Sequence, residues 1–326
     1  MKLRALFVFA AVLLIGAPGA ARADERVVAA YDGFAGFQGP IWATRELGLF
    51  KKHGLNGELV LITGAARGMA ALVSSSIDFA MGSGTASLPI RLRGGDVVII
   101  GGALNKFPFS FIAQKEIRKP ADLVGKKIGI LNFGGSTDLA VALALKEWNL
   151  PRSSMTIFAA GGAPERLAGL SSRVLDATVL SPPETIAAAR MGMTVLANLS
   201  DLKASFPQTV MTTRRSFLEK NRDTVKRFVR AYSEAVHIFK TDKAKGMAVY
   251  TKWLKQPDAK IIEATYDYFA PRFSFPPRID RDGIRNALEL VGDRDREAKG
   301  DINIEQFLDE SLLDELEREG FFKKLR

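Results

Sequence analysis

Short glycine-containing segments that follow apolar runs carry the side chains best suited to bind a small molecule. The segment Asn132–Thr137 reads NFGGST, and its two glycines allow the backbone to approach a ligand closely. Ser136 can cap the helix that follows and still offer a hydrogen-bond donor. Ser83–Thr85, which reads SGT, is a matching turn earlier in the chain. Spacing alone equally allows two ordinary helix starts, so both interpretations remain open.

Aromatic rings lie beside glycines in these segments. Phe34, Phe37 and Phe133 could stack on a planar or apolar ligand, or they could pack into the core beneath their loops. Ligands of open α/β sheets bind beyond the carboxyl ends of the strands, and five predicted strand ends carry candidate side chains. The predicted ligand-binding residues are Phe34, Phe37, Gln38, Thr63, Ser83, Gly84, Thr85, Asn132, Gly135, Ser136, Thr137, Ser181 and Glu184.

Charged residues near the same strand ends limit the chemistry of the ligand. If Asp32, Asp138 and Glu184 face the cleft, they disfavour a fully charged sulfonate and favour an amine or a hydrogen-bonding heterocycle. Helix capping or an exposed helix face would explain the same residues, Asp138 in particular. Arg67 and Arg166 could each pair with an anion, although an exposed position is more common for an arginine one turn into a helix.

The sequence lacks the residue combinations that enzymes, metal sites and nucleotide sites require. It contains no cysteine, and its two histidines, His53 and His237, do not have metal-ligand spacing. Gly82–Ser87 lacks the lysine of a phosphate-binding loop. We therefore predict a protein that is not an enzyme and that uses no cofactor or metal. The net charge is +10, but basic stretches such as Lys220–Arg230 form no stripe with interleaved aromatic residues, so no nucleic-acid partner is predicted.

An internal repeat indicates the elements that position these residues. Gly64–Ser83 and Gly162–Ser181 align without a gap. Each copy is a glycine turn, a helix that stops at an aspartate, and a short apolar strand ending in serine. Two related α/β units predict two lobes with a ligand cleft between them. The alternative is a chance similarity between two ordinary strand–helix units, which share periodicity.

Alternating strand and helix patterns extend to Thr213 and predict mostly parallel sheets. Thr209–Thr213 is predicted as a strand that returns the chain to the first lobe. Beyond it, apolar residues at helical spacing predict a helical tail, with helices that include 243–254, 259–269 and 304–319.

The N-terminus has the three parts of a secretory signal peptide. Lys2 and Arg4 precede the apolar stretch Ala5–Ile15, and Ala21-Arg22-Ala23 is a small-residue cleavage site. The alternative is a membrane anchor, but the apolar stretch is shorter than the ~20 residues that a spanning helix needs. Residues 1–23 are therefore predicted to be removed on export, which gives a periplasmic protein.

Four passages carry a family resemblance. Trp42–Glu58 reads WATRELGLFKKHGLNGE, Ser75–Met81 reads SSIDFAM, Lys119–Thr137 reads KPADLVGKKIGILNFGGST and Leu170–Glu184 reads LSSRVLDATVLSPPE. In this order they resemble the periplasmic substrate-binding proteins of the nitrate, taurine and aliphatic-sulfonate ABC importers. That group also includes binders of thiamine-pyrimidine precursors.

The resemblance implies an α/β protein with the two-lobed, type II-like periplasmic-binding-protein fold, in which a hinge closes the lobes over a cleft. Residues 24–104 and 212–326 would form the first lobe, and residues 105–211 the second. The chain would cross between the lobes near Leu104–Phe109 and Met211–Thr212.

The implied function is that of the solute-binding component of an ABC importer. The ligand would be a small solute such as nitrate, a sulfonate, taurine or a pyrimidine-like compound, and the partner would be a membrane permease. We expect a monomer. The alternative is a periplasmic sensor that presents a small molecule to a receptor, and neighbouring permease and ATPase genes would distinguish the importer from the sensor.

Overall fold

The computed structural model describes residues 24–202, 204–292 and 302–326, so the predicted signal peptide lies outside the described residues. Within these ranges two five-stranded sheets form. Their strands, in chain order, are β1 Glu25–Tyr31, β2 Leu55–Leu61, β3 Phe79–Gly82, β4 Val98–Leu104, β5 Ser110–Ala113, β6 Lys127–Ile130, β7 Thr156–Ala159, β8 Ala177–Leu180, β9 Thr194–Asn198 and β10 Thr209–Thr213.

Helices connect these strands and make up the C-terminal part of the chain. In the described ranges they are α1 Gly39–Glu46, α2 Leu49–Lys52, α3 Ala65–Val73, α4 Leu88–Leu92, α5 Ser136–Glu147, α6 Ala163–Ser171, α7 Glu184–Arg190, α8 Arg215–Lys220, α9 Arg222–Thr241, α10 Lys243–Leu254, α11 Ala259–Phe269, α12 Arg281–Gly292, α13 Ser311–Arg318 and α14 Phe321–Leu325. No helix among the described residues is long and apolar enough to span a lipid bilayer.

Each sheet contains one strand that runs against the other four. The first sheet has the order β2-β1-β3-β10-β4, and β10 pairs antiparallel with both of its neighbours. The second sheet has the order β7-β6-β8-β5-β9, and β5 is its antiparallel strand. The prediction of mostly parallel sheets is confirmed, and so is the return of Thr209–Thr213 to the first sheet.

The two copies of the sequence repeat adopt the same local structure. Gly64 and Gly162 precede α3 and α6, and β3 and β8 follow these helices. The Oδ2 atom of Asp78 accepts a hydrogen bond of 2.9 Å from the Val28 amide of the neighbouring strand β1. Asp176 accepts the equivalent bond of 2.8 Å from the Lys127 amide. The aspartates therefore fix each repeat helix to its sheet through a backbone amide.

The antiparallel strands extend this correspondence. Gln114, directly after β5, donates from Nε2 to the carbonyl oxygens of Leu170 and Leu175 at 2.6 and 3.0 Å. Arg214, directly after β10, donates to the carbonyl oxygens of the two matching residues in the first repeat, Leu72 and Ile77. A neutral amide and a guanidinium group thus satisfy the same two carbonyl groups in the two lobes.

The two segments that cross between the sheets lie side by side. The Phe206 amide donates to the Asn105 carbonyl at 2.9 Å, and the rings of Phe107 and Phe206 stack at 3.6 Å. The Leu199 amide donates to the Phe109 carbonyl at 2.8 Å. The second crossing segment ends before Thr209, because β10 already pairs with two strands of the first sheet. The lobe boundaries given above stay a prediction.

Two local expectations differ from the structure. Ser136 is the first residue of α5 and Gly135 is its N-cap, so the Ser136 hydroxyl does not cap the helix. The single helix expected over 304–319 is interrupted, because Leu308 forms a β-bridge with Ile99 and the Asp309 amide donates to the Ile99 carbonyl at 2.9 Å. Pairing with the edge of the first sheet replaces helical hydrogen bonds at this point.

Candidate functional site

A cavity of about 200 Å³ lies between the strand ends of the two sheets. Its wall contains residues that follow parallel strands of both sheets, as expected for open α/β sheets. The residues that line it are Asp32, Gly33, Phe34, Ala35, Phe37, Leu61, Thr63, Phe109, Leu131, Ser136, Thr137, Gly162, Ala163, Pro164, Glu165, Arg166 and Ser181.

The first sheet contributes an acidic group to the cavity. Asp32 follows β1 directly, and its Oδ1 atom accepts a hydrogen bond of 2.7 Å from Nε2 of buried Gln38. A Cβ atom on Gly82 would lie 2.8 Å from Cγ of Asp32, so the carboxyl group packs against a glycine of β3. Burial raises the pKa of Asp32 to about 6, although the hydrogen bonds from Gln38 and the Ser83 backbone act in the opposite direction.

Aromatic and aliphatic side chains form most of the remaining wall of the first lobe. Phe34 and Leu61 are exposed over 36% and 42% of their surface, which is high for side chains of this type. Phe37 is buried, and its ring meets the ring of Phe109 edge-on at 6.5 Å. The cavity therefore offers apolar surface that is still open to a ligand.

Two buried ionisable groups, Arg166 and Glu184, lie on the side of the second lobe. Arg166 in α6 is only 3% exposed and donates to the carbonyl oxygens of Gly161 and Val179 at 2.6 and 3.3 Å. Desolvation lowers its pKa to about 10, whereas Glu184 and Glu165 raise it. Burial in turn raises the pKa of Glu184 to about 7, and Arg166 acts against this shift. Within the described part of the chain, Nε of Arg166 and Oε2 of Glu184 are buried without a hydrogen-bond partner.

Hydrogen bonds within the second lobe hold the start of α5. The Thr137 Oγ1 atom accepts a bond of 2.9 Å from the Leu131 amide, which joins the helix to the end of β6. Asp138 is fully buried, accepts from the Gly134 amide at 2.7 Å and pairs with Arg152 at 2.5 Å. Asp138 is therefore an internal structural residue, which agrees with the capping alternative considered for it.

The predicted ligand-binding residues divide among several locations. Those that line this cavity are Phe34, Phe37, Thr63, Ser136, Thr137 and Ser181. Those that line a second cavity of about 370 Å³, on the other side of the loop before α5, are Thr85, Asn132 and Gly135. Ser83 borders a void of about 10 Å³ beneath Asp32. Gln38, Gly84 and Glu184 line none of these three spaces, and all thirteen assignments stay predictions.

Sequence reasoning missed several cavity residues. Phe109, Leu61 and Leu131 lie at the ends of strands, and nothing in their local sequence distinguishes them from core residues. The sequence left open whether Arg67 and Arg166 pair with an anion or lie on an exposed helix face; Arg67 is exposed, whereas Arg166 is buried. The alignment of the repeats contained a signal, because the position of Arg166 is occupied by Gly68 in the first copy.

Contacts across the cleft connect the lobes directly. The Gly36 amide donates to the Pro182 carbonyl at 3.4 Å. Arg190 in α7 forms an ion pair with Asp258, whose side chain also caps α11. Among the residues that the structure describes, no cluster of three His, Asp or Glu side chains is placed to hold a metal ion. The arrangement is suited to enclosing a small ligand between two walls.

Comparisons with known proteins agree with this geometry. The family model described as NMT1/THI5 like matches residues 38–243. A curated protein of Brucella abortus (strain 2308), named "Putative binding protein", is 28% identical over 271 residues, which cover 79% of this chain and 81% of that protein.

Two solved structures have the same fold. One is the ligand-binding component of an ABC-type import system from Staphylococcus aureus, solved with zinc bound, with a TM-score of 0.73 and 17% identity over 89% of this chain and 98% of that one. The other is the periplasmic aliphatic sulphonate binding protein SsuA from Escherichia coli, with a TM-score of 0.71 and 20% identity over 87% and 92% of the two chains. They confirm the predicted two-lobed α/β fold.

Proposed function

The chain belongs to the NMT1/THI5-like family, and from this membership we propose that it is the periplasmic solute-binding component of an ABC importer. It would bind a small solute between its two lobes, close around it by a hinge motion and deliver it to a membrane permease. Nitrate, a sulfonate, taurine and a pyrimidine-like compound are the solutes that the family resemblance suggests.

The observation that carries this proposal is the cavity of about 200 Å³ between the strand ends. Its walls come from both lobes, so a ligand that touches both walls would favour the closed arrangement. The two crossing segments pack against each other and are the natural place for the hinge. The import role is supported further by the Staphylococcus aureus protein of the same fold, which is the ligand-binding component of an ABC-type import system.

A role without catalysis fits the chemistry of the cavity. The chain has no cysteine, and His53 forms a hydrogen bond with Glu234, on elements outside the cavity wall. Asp32, Glu165 and Arg166 are the ionisable side chains that line the cavity within the described residues. None of them is paired with a nucleophile and a base in the manner of a catalytic triad.

A thermal-shift screen of purified protein tests the proposal. The panel contains small anions, sulfonates, amines and pyrimidines. A ligand at 100 times its Kd should add about 2.7 kcal/mol to the free energy of unfolding. We expect at least one class of solute to stabilise the protein and to bind stoichiometrically in a titration. Turnover of a stabilising solute into a product would instead contradict the binding role.

A further inference from the structure

The charge distribution of the cavity narrows the class of ligand. Resting on the proposed binding function, we infer that the cavity binds an organic ammonium ion with an apolar body, whose positive group pairs with Asp32. An anion such as a sulfonate is not the ligand that these walls fit.

Asp32 provides a positioned carboxylate that has no internal counter-ion. Gln38 fixes one oxygen at 2.7 Å, and Gly82 leaves the space in which the carboxyl group lies. No Lys, Arg or His in the described ranges forms an ion pair with Asp32. A carboxylate that is partly buried and faces a cavity is stabilised most by a cation, because its hydrogen-bonding capacity is that of an acceptor alone.

The positive group of the opposite wall is buried and bonded mainly within the protein. Arg166 lines the cavity, but two of its nitrogens already donate to the carbonyl oxygens of Gly161 and Val179. Glu184 and Glu165 lie near enough to Arg166 to influence its pKa. An anion placed beside Asp32 would lose hydration and meet the repulsion of that carboxylate, and Arg166 would offer it one unbonded nitrogen, the buried Nε.

The two helix starts at this wall already carry acidic side chains. A Cβ atom on Gly162 would lie 2.7 Å from Oε2 of Glu165, so this carboxylate sits over the N-terminus of α6. At the start of α5, the Asp138 carboxylate accepts from the Gly134 amide. The N-terminus of α6 therefore lies next to the protein's own carboxylate, and one amide before α5 is already bonded to Asp138, which reduces the usual source of anion affinity.

Apolar surface beside Asp32 defines the rest of the ligand. Phe34 and Leu61 remain partly exposed in the cavity wall, and the rings of Phe37 and Phe109 continue it. Aromatic faces attract organic cations as well as apolar groups. The combination of one carboxylate with three phenyl rings and a leucine fits an ammonium group attached to an apolar body.

Three probes with one body and different head groups test the inference. They are the 2-phenylethylammonium ion, 2-phenylethanol and 2-phenylethanesulfonate, each titrated calorimetrically into the protein at pH 7.5. We expect the ammonium ion to bind at least about tenfold more tightly than the alcohol, and the sulfonate to bind most weakly. A sulfonate that binds as tightly as the ammonium ion overturns the inference and leaves the proposed function intact. Absence of binding by all three probes overturns the ammonium assignment, whereas the failure of the wider solute panel overturns the function.

The variant Asp32→Asn removes the charge with little change in size. We expect it to lower the affinity for the ammonium probe at least about tenfold and to leave the affinity for the alcohol nearly unchanged. Glu147→Gln is the control: it also removes one negative charge, but at the exposed end of α5, away from the cavity. It should keep the affinity of the parent. Equal affinities of Asp32→Asn and the parent for the ammonium probe contradict the pairing.

A pH series gives a readout that needs no variant. The charged or titratable groups around Asp32 are Tyr31 of β1 and, across the cavity, Glu165 and Arg166 of α6. Since the pKa of Asp32 is about 6, the parent should lose about tenfold in affinity for the ammonium probe between pH 7.5 and pH 5. Asp32→Asn should lose much less. An affinity that is constant over this range contradicts the inference even if the variant fails to fold.

Discussion

The carboxyl group of Asp32 occupies space that a side chain on Gly82 would need. Gly82 is the last residue of β3, and a glycine in a strand often marks the close approach of another group. Here the approaching group is the only carboxylate that the first lobe contributes to the cavity in the described chain. The identity of residue 82 is thus tied to the position of Asp32.

Replacement of Gly82 by alanine should therefore destabilise the protein. The new Cβ would lie 2.8 Å from Cγ of Asp32, and we expect the free energy of unfolding to fall by about 1–3 kcal/mol. Gly68→Ala is the matched control, because its Cβ would meet no atom within 4 Å and a helical alanine gains about 0.5–1 kcal/mol. Urea denaturation measures both values. Equal stability of the two variants would show that Asp32 moves without cost.

The buried carboxyl group of Glu184 should affect stability in a direction that is unusual for an acid. Its pKa in the folded protein is about 7, above its usual value, so the folded state binds this proton more tightly than the unfolded state. The stabilisation is complete below the usual pKa of glutamate and is lost as the pH rises towards 7.

Glu184→Gln removes this titration. Between pH 4.5 and 7.5 the free energy of unfolding of the parent should decrease relative to that of the variant, with a slope of at most about 1.4 kcal/mol per pH unit. Urea unfolding curves of both proteins across this range give the comparison. Parallel pH profiles would mean that Glu184 is charged in the folded state throughout.

Helix boundaries that neighbouring residues determine were predictable from the sequence, whereas those that depend on distant pairings were not. The helices Lys243–Leu254 and Ala259–Phe269 were predicted with their observed bounds, because Asp242 and Asp258 cap them within the same stretch of sequence. The break at Leu308 depends on Ile99, which is remote in the sequence.

The same distinction applies to the candidate site. The strand-end rule placed Ser136, Thr137 and Ser181 at the cavity, because a parallel sheet brings carboxyl ends together whatever the sequence between them. Burial of Arg166 follows from the packing of α6 against β8, which the helical periodicity does not contain. The family resemblance read from four short passages is confirmed by the match over residues 38–243.

The matched hydrogen bonds after β5 and β10 lead to a prediction about one element. Gln114 is buried and satisfies the carbonyl oxygens of Leu170 and Leu175 at the end of α6. Gln114→Ala should lower the free energy of unfolding by about 1–3 kcal/mol, since two acceptors lose their partner. Ser171→Ala, an exposed position on the same helix, should change it by no more than about 0.5 kcal/mol. Chemical denaturation distinguishes the two results, and similar values would mean that water replaces the glutamine.

Two crossing segments connect the two lobes that are proposed to close around the ligand. We expect small-angle X-ray scattering to give a smaller radius of gyration at saturating ligand than in its absence. Arg190→Gln removes the ion pair with Asp258 across the cleft. Because that pair is well exposed, the variant should still close and lose no more than about 1 kcal/mol of binding free energy. An unchanged scattering profile at saturation would contradict hinge closure.

The position of β10 also sets an order of events during synthesis. Strands β3 and β4 are consecutive in the chain but are not neighbours in the sheet, because Thr209–Thr213 lies between them. All five strands of the second sheet come from the continuous stretch that ends at Asn198. The part of the molecule that is made first is therefore completed last. A nascent chain that stops before Thr209 holds an intact second sheet and a first sheet with two unpaired inner edges, which are the surfaces most prone to wrong association before folding ends.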